Sequence, residues 1–300
     1  MNGNRKRVVV TGASGTIAGL LLPAMRDRYD LVALDIKPTD PSGGLVDGVQ
    51  IADLLQRDRD TYREYFRDAD AVVHCAFVHP KDPDDSTQRF YAEMANIGMA
   101  FNVYQTAWEE SVRRVVVASS NHAADYYEPL ILRHEWDYVT PDMRALSDNY
   151  YGWAKESYEH LGFVFAVGHV NGTPLENIQI RIGAPRETDL NRCALGDHTC
   201  MRRALAAYIS QRDLVQLFVK SIEADDIRDA HGVPFQIFYG VSNNPHAFWS
   251  IVNARRVLGY EPQDSSEVRF GQMIAEQIRA AMEHNGRQSA RRADAGGEDT

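Results

Sequence analysis

Tyr151 stands four residues before Lys155 in the run Tyr151-Gly-Trp-Ala-Lys155, so on a helix both side chains share one face, about one turn apart. An ordinary phenol titrates near ~10, too high to take a proton at neutral pH, but an adjacent ammonium stabilises the phenolate and lowers that value. Ser120 closes the apolar run Val115-Val116-Val117-Ala118 after one intervening serine, Ser119. A hydroxyl at the mouth of a strand can hold the oxygen that loses its proton. The three side chains read as a set for alcohol oxidation or carbonyl reduction, with Tyr151 as base, Lys155 as the group that acidifies it and Ser120 as the orienting hydroxyl.

That chemistry needs a hydride acceptor, and the first forty residues are patterned to hold one. Arg7 to Val10 is a short apolar run that reads as a buried parallel strand, leading directly into Thr11-Gly12-Ala-Ser14-Gly15-Thr16-Ile17-Ala18 and a helix beyond. Gly12 permits the tight turn, and Gly15 lets the backbone approach a pyrophosphate at the positive end of the helix. Ala18 stands where a third glycine is usual, small enough for helix and strand to pack closely. Ser14, Thr16 and Ile17 complete the expected cofactor loop. A second strand, Asp30 to Leu34, ends at Asp35, twenty positions after Gly15. A carboxylate there accepts both ribose hydroxyls of adenosine and repels a 2′-phosphate, which predicts NAD over NADP.

Strands and helices continue to alternate as a doubly wound sheet requires: Val49 to Ala52, a polar helix over 58–66, Ala71 to Ala76, a helix over 85–107, the strand into Ser120, a catalytic helix over 149–165 and the strand Ile178 to Ile182. The small residues Cys75 and Ala76 at the end of the fourth strand leave room for a cofactor. The predicted class is α/β, a Rossmann-type doubly wound parallel sheet with a small C-terminal substrate-binding subdomain. Residues 1–177 form the expected NAD-binding domain. Residues 178–282 are mainly substrate-binding and interleaved with the sheet, and 283–300, without large apolar residues, are an expected disordered tail. The apolar stripes on helices 85–107 and 149–165 read as core and as a homodimer face.

Composition sets outer bounds. With 300 residues and 44% apolar content the chain can bury one large core or two unequal ones. No run approaches a membrane span, and Met1 to Arg7 leads into a strand rather than an apolar signal segment, so a cytoplasmic enzyme is expected. A formal charge of −10 argues against a nucleic-acid partner. Three cysteines, Cys75, Cys193 and Cys200, make no even set for a disulfide framework, which suggests reduced thiols. Cys193, Asp197, His198 and Cys200 invite a zinc reading, but their spacing matches no recognised ligand pairing, and no metal is expected.

Taken together, Thr11-Gly12-x-x-Gly15-x-x-Ala18, Asp35, Asp53-Leu54, His74-Cys75-Ala76, Asn96, Ser119-Ser120 and Tyr151-x-x-x-Lys155 resemble the extended short-chain dehydrogenase/reductases of the epimerase/dehydratase family, over about residues 1 to 280. Within that group the chain looks most like the uronate dehydrogenases, through Ser120-Asn121-His122, Arg181-Ile182-Gly183, Arg203-Ala-Leu-Ala-Ala-Tyr208-Ile-Ser210 and Tyr239-Gly240-Val-Ser242-Asn243. The resemblance implies NAD-dependent oxidation of a sugar C1 hydroxyl to a lactone. It implies that Lys155 also holds the nicotinamide ribose, that Asp53 and Leu54 meet adenine, and that Ala118 and Ile182 line the cofactor. Asn121 and His122 would touch neighbouring sugar hydroxyls, Arg203 would grip the sugar carboxylate, and Asn96 would tie strands together. A guanidinium suits that grip because its parallel N–H donors match a carboxylate.

The departures fall on substrate contacts, where Thr16, His79 and Ala184 replace residues lining the family's sugar pocket. A related aldose or a sugar phosphate held by His79 and Arg203 therefore stays open beside a uronate, as does the choice between Arg203 and Arg202. Two other classes also stay open: a nucleotide-sugar epimerase or dehydratase of the same fold, and a non-catalytic NAD sensor, which would not need Tyr151 and Lys155.

Overall fold

The computed structural model describes residues 5–186 and 189–295. Seven parallel strands form one sheet: β1 (Arg7–Thr11), β2 (Asp30–Asp35), β3 (Val49–Ile51), β4 (Ala71–His74), β5 (Arg114–Ser120), β6 (Glu176–Ile182) and β7 (Phe235–Gly240), in the order β3-β2-β1-β4-β5-β6-β7. Helices connect them: α1 (Thr16–Arg26), α2 (Ser86–Glu109), α3 (Glu128–Leu132), α4 (Tyr150–Val167), α5 (His198–Ala207) and α6 (Gln211–Glu223), followed after β7 by α7 (Val252–Leu258), α8 (Ser266–Arg269) and α9 (Gly271–Ala295). The Rossmann-type doubly wound sheet is therefore present.

Successive strand side chains point to opposite faces, and the core divides accordingly. Val8 and Val10 pack with Leu21 and Met25 of α1 and with Leu214 and Phe218 of α6. Val9, on the other face, joins Met99 and Val103 of α2 and Ala154 and Phe165 of α4. Near-continuous valine in β1, β4 and β5 is what burial on both faces demands. Strand order reverses between β1 and β4, and the crevice beyond their carboxyl ends is where an open α/β sheet binds ligands.

Several expectations change in the structure. Segment 58–66 forms two short 3₁₀ turns, Arg59–Thr61 and Arg63–Phe66, because Tyr62 between them leaves the helical region at φ −139° and buries its ring completely. Helix α9 continues to Ala295, across the start of the expected tail, through a stretch rich in the helix formers Ala, Arg and Gln; 296–300 lie outside the described residues. Cys193 and Cys200 are joined in a disulfide, which corrects the expectation of reduced thiols and takes up two of the four residues weighed as metal ligands. An odd total had hidden a pair seven residues apart. Cys75 is the free cysteine. The bridge lies in a third apolar cluster, with Leu190, Met201, Leu205, Tyr208 and Phe270, outside the two layers flanking the sheet. Strands β6 and β7 belong to the main sheet, so the 178–282 region contributes both to it and to this outer cluster. Among the described residues no helix is long and apolar enough to cross a membrane.

Candidate active site

Helix α4, which carries Tyr151 and Lys155, owes its position to two glycines and one buried ion pair. A side chain at Gly152 would run into the carbonyl oxygen of His122, and one at Gly162 into Asn177 and Gln179 of β6, so α4 can lie against both only with these residues bare. Strand β6 alternates Ile178, Ile180 and Ile182 on the apolar face with Asn177, Gln179 and Arg181 toward α4. Arg181 forks onto Glu159 of α4 (Nε to Oε1 2.8 Å, Nη2 to Oε2 2.7 Å), with both side chains 1% exposed. Ser119 donates to the same carboxylate at 2.9 Å, and Arg181 Nη1 donates to the Tyr239 hydroxyl at 2.9 Å. Lys155 lies one turn before Glu159 on this face, buried at the end of β5.

The Lys155 ammonium donates to the Ala118 carbonyl at 3.0 Å, leaving two of its three donors for other partners. It lies 5.5 Å from the ring centre of Tyr151, 5.3 Å from Phe77 and 4.8 Å from Tyr158. The Tyr151 ring stands edge-on to Phe77 at 5.5 Å and to His122 at 5.7 Å. Ser120 Oγ accepts from the His122 backbone N–H at 3.2 Å and lies 3.5 Å from Asn121 Oδ1. The structure thus gathers Ser120, Asn121, His122, Tyr151 and Lys155 around the end of β5.

At the other end of the crevice, Gly12 adopts φ +66°, and a side chain there would strike the backbone of Cys75 and Ala76, so only glycine lets the loop after β1 rest on the end of β4. Gly15 caps α1 with no side-chain hydrogen bond and no acidic residue in the first turn, leaving the N–H groups and positive end of the helix to a phosphate. Asp35 accepts from the backbone N–H of Ser14 at 2.9 Å and of Ile36 at 2.7 Å. Those features fit a dinucleotide. Thr16 is exposed at the start of α1, and Ile17 is half-buried beside it. Ile182 and Ala118 are buried at their strand ends. Asp53 is turned onto its own loop, accepting from Leu55 N at 3.0 Å and Gln56 Nε2 at 2.7 Å, while Leu54 is buried. Burial pushes the Cys75 thiol up to about 12 and the His74 imidazole down to about 3, the latter helped by the Lys155 charge. Both are neutral walls rather than reagents. His74 Nδ1 is 2.7 Å from Thr11 Oγ1.

The region beyond the end of β5, where Asn121, His122 and Arg203 lie, is built from side-chain pairs. His122 Nδ1 is 2.9 Å from Asp125 Oδ2, which also accepts from Asn149 Nδ2 at 2.7 Å. Burial opposes the Asp125 charge, but hydrogen bonds from His122, Ser147 and Asn149 hold its carboxyl below the usual range. Arg203 forks onto Glu128 (Nε to Oε2 2.9 Å, Nη2 to Oε1 3.2 Å), and Asn121 Nδ2 donates to Glu128 Oε1 at 3.2 Å. Arg203 also lies over Trp249, 5.9 Å from its ring centre, and borders a depression of about 420 Å³ with Leu132, Asp197 and Cys200. Arg202 instead reaches the Ile131 carbonyl, 3.4 Å away. Arg203 is therefore the arginine linked to the Ser120–His122 segment, but through a carboxylate that already takes two of its donors, Nε and Nη2. His79 is exposed and meets the site only through Phe77, whose ring it touches edge-on at 4.9 Å. Asn96 ties α2 to the loop after β4 rather than strand to strand, accepting from Val78 N at 2.7 Å and donating to Val78 O at 3.0 Å.

Sequence reasoning passed over Phe77, Glu93, Asp125, Glu128 and Asn149. Asn149 carried a readable signal: an asparagine three residues before a helical N–H is a favoured cap, and its Oδ1 accepts from Gly152 N at 2.9 Å. Glu93 is buried on α2, which pushes its carboxyl up to about 7 against the lowering influence of Asn96 and Lys155.

Fold and site define a nucleotide-dependent oxidoreductase of CH–OH groups. The model of the NAD dependent epimerase/dehydratase family matches residues 8–165, and the chain belongs to that family, with NAD as its cofactor. It is 31% identical to an NAD-dependent glucose-6-phosphate dehydrogenase of Haloferax volcanii, covering 86% of this chain and 94% of that one. It is 29% identical to an L-arabinose 1-dehydrogenase (NAD(P)(+)) of the same organism, covering 87% and 97%. Its fold superposes on the crystal structure of a uronate dehydrogenase from Agrobacterium tumefaciens with a TM-score of 0.68, at 25% identity over 91% of this chain and 89% of that one.

Proposed function

We propose that this protein oxidises the C1 hydroxyl of a cyclic sugar to a lactone, using NAD. The observation that carries the reading is the junction of β5 and α4, where the buried Lys155 ammonium sits against both the Ala118 carbonyl and the Tyr151 ring, beside Ser120. Ser120 Oγ holds the C1 hydroxyl, and the Tyr151 oxygen takes its proton, with the cation of Lys155 beside its ring. When bound, NAD supplies the acceptor for the hydride that leaves C1. The two free donors of Lys155 hold the ribose hydroxyls, and Asp35 holds those of adenosine. Asn121 and His122 position the ring of the sugar, with His79 at its rim. Relatives named for uronate, glucose 6-phosphate and L-arabinose support a C1 sugar substrate while differing in its charge. A panel of aldoses, uronates and sugar phosphates with NAD, followed by absorbance of the reduced cofactor, tests the reading: turnover with at least one member is expected. A protein that interconverts nucleotide sugars with no net reduction of NAD would be an epimerase and would overturn it.

A second copy is the proposed macromolecular partner, docking on α2 and α4, whose outward side chains Tyr91, Met94, Phe101, Phe163 and Val164 are exposed.

A further inference from the structure

Glu128 gives the substrate a sign. The guanidinium of Arg203 is tied to Asn121 through Glu128, and its Nε and Nη2 donors are both spent on that carboxylate. The same carboxylate fixes the amide of Asn121, so its two oxygens are engaged by three donors. Glu128 is 12% exposed at its side chain and Arg203 28%, a partly desolvated, bidentate pair of the strong kind. A substrate carboxylate entering here would meet an arginine whose charge Glu128 already balances, and would have to displace Glu128 to gain a single ion pair. A second carboxylate, Asp125, backs His122 three residues earlier and is held ionised by its hydrogen bonds. Both sugar-facing polar residues thus carry a carboxylate behind them.

We propose that Glu128, by occupying Arg203, makes this a dehydrogenase of neutral aldoses and excludes sugars bearing a carboxylate. The inference rests on the sugar-dehydrogenase reading above and names its substrate class. Glu128 is a specificity-determining residue: its oxygens and the outward edge of Arg203 present acceptors and donors to sugar hydroxyls, while its charge repels an anion.

The test uses pairs of sugars that differ only in charge at C6, D-galactose against D-galacturonate and D-glucose against D-glucuronate. The unmodified protein should favour the neutral member of each pair it turns over by tenfold or more in kcat/KM. Glu128→Gln keeps the shape and an acceptor for Asn121 while freeing Arg203, so it should raise the uronate-to-aldose ratio about ten- to a hundredfold, the range of one charge-assisted hydrogen bond. Adding Arg203→Met to Glu128→Gln should abolish the gain. A preference of the unmodified protein for the uronate, or no gain in Glu128→Gln, overturns the proposal. Calorimetric titration of D-galacturonate into the NADH-loaded proteins separates the two readings: binding that appears on Glu128→Gln supports the role of Glu128 even if no sugar in the panel is oxidised, a result that would sink the dehydrogenase reading alone. Equal binding to both proteins, or binding to neither, overturns the role of Glu128.

Discussion

At the nucleotide end of the crevice Asp35 is held by the backbone N–H groups of Ser14 and Ile36, whereas at the sugar end Glu128 is held by the side chains of Arg203 and Asn121. The first carboxylate is fixed by donors within about twenty residues of chain, which no substitution other than one that refolds the loop can remove. The second depends on a partner 75 residues away that one codon can replace. Backbone donors and bare glycines make a socket for a cofactor that does not change; paired side chains make a pocket whose substrate can change without disturbing the sheet. The relatives are named for different sugars, glucose 6-phosphate and L-arabinose.

The contrast can be broken most severely at Tyr151. Tyr151→Phe removes the proton acceptor but keeps the ring that packs on Phe77 and His122, so kcat should fall by about 10²- to 10⁴-fold while NADH affinity, read by fluorescence titration, stays within about twofold. Equal losses in both would mean that the tyrosine belongs to the cofactor socket rather than to the chemistry. Next in size is the buried pair under the catalytic helix. Arg181→Met strands the Glu159 charge between α4 and β6 and should cost about 3–5 kcal/mol in a urea melt; Arg181→Met with Glu159→Leu should recover most of it. A melt unchanged by the single substitution would show that water reaches Glu159.

Acid and base conditions provide a smaller, graded effect. Glu93 titrates in the folded protein at about 7 against an ordinary value of 4.5, raised chiefly by burial. Its contribution is therefore full below about 4.5, where it is protonated in both states, and is lost as pH rises to about 7, amounting to no more than about 3 kcal/mol. Glu93→Gln should flatten the melt-versus-pH curve in that window, and a curve of unaltered slope would place the fall elsewhere. The mildest change belongs at the nucleotide end. Asp35→Ala should weaken NAD about tenfold and admit NADP, measured as the ratio of the two kcat/KM values. Wild-type turnover with NADP faster than with NAD would contradict the role given to Asp35.

The same division explains what could be read from the chain. Gly12, Gly15 and Asp35 lie within one strand-turn-helix-strand unit, where spacing alone fixes geometry, and Tyr151 and Lys155 share a helix face. The apolar strands β1, β4 and β5 announce themselves because both their faces are buried. Strand β6 was legible as a strand but not as the polar seat of α4, since Asn177, Gln179 and Arg181 look like solvent-facing residues until α4 covers them. Glu128 is an ordinary helix-start acid in sequence, and nothing near it points to Arg203. The Cys193–Cys200 bridge is not legible in a count, since an odd number of cysteines still allows one pair and a free thiol, and α9 runs past 282 because composition without large apolar residues still favours helix.

Asn149 joins two events that would otherwise be independent. Its Oδ1 closes the first turn of α4 on Gly152, and its Nδ2 holds the carboxylate that orients His122. Fraying of that turn therefore loosens one of the side chains that hold the Asp125 carboxylate behind His122, Ser147 being another. The first turn of α4 and the seat of His122 thus share one side chain, so the protection of the Gly152 amide against deuterium exchange reports on both.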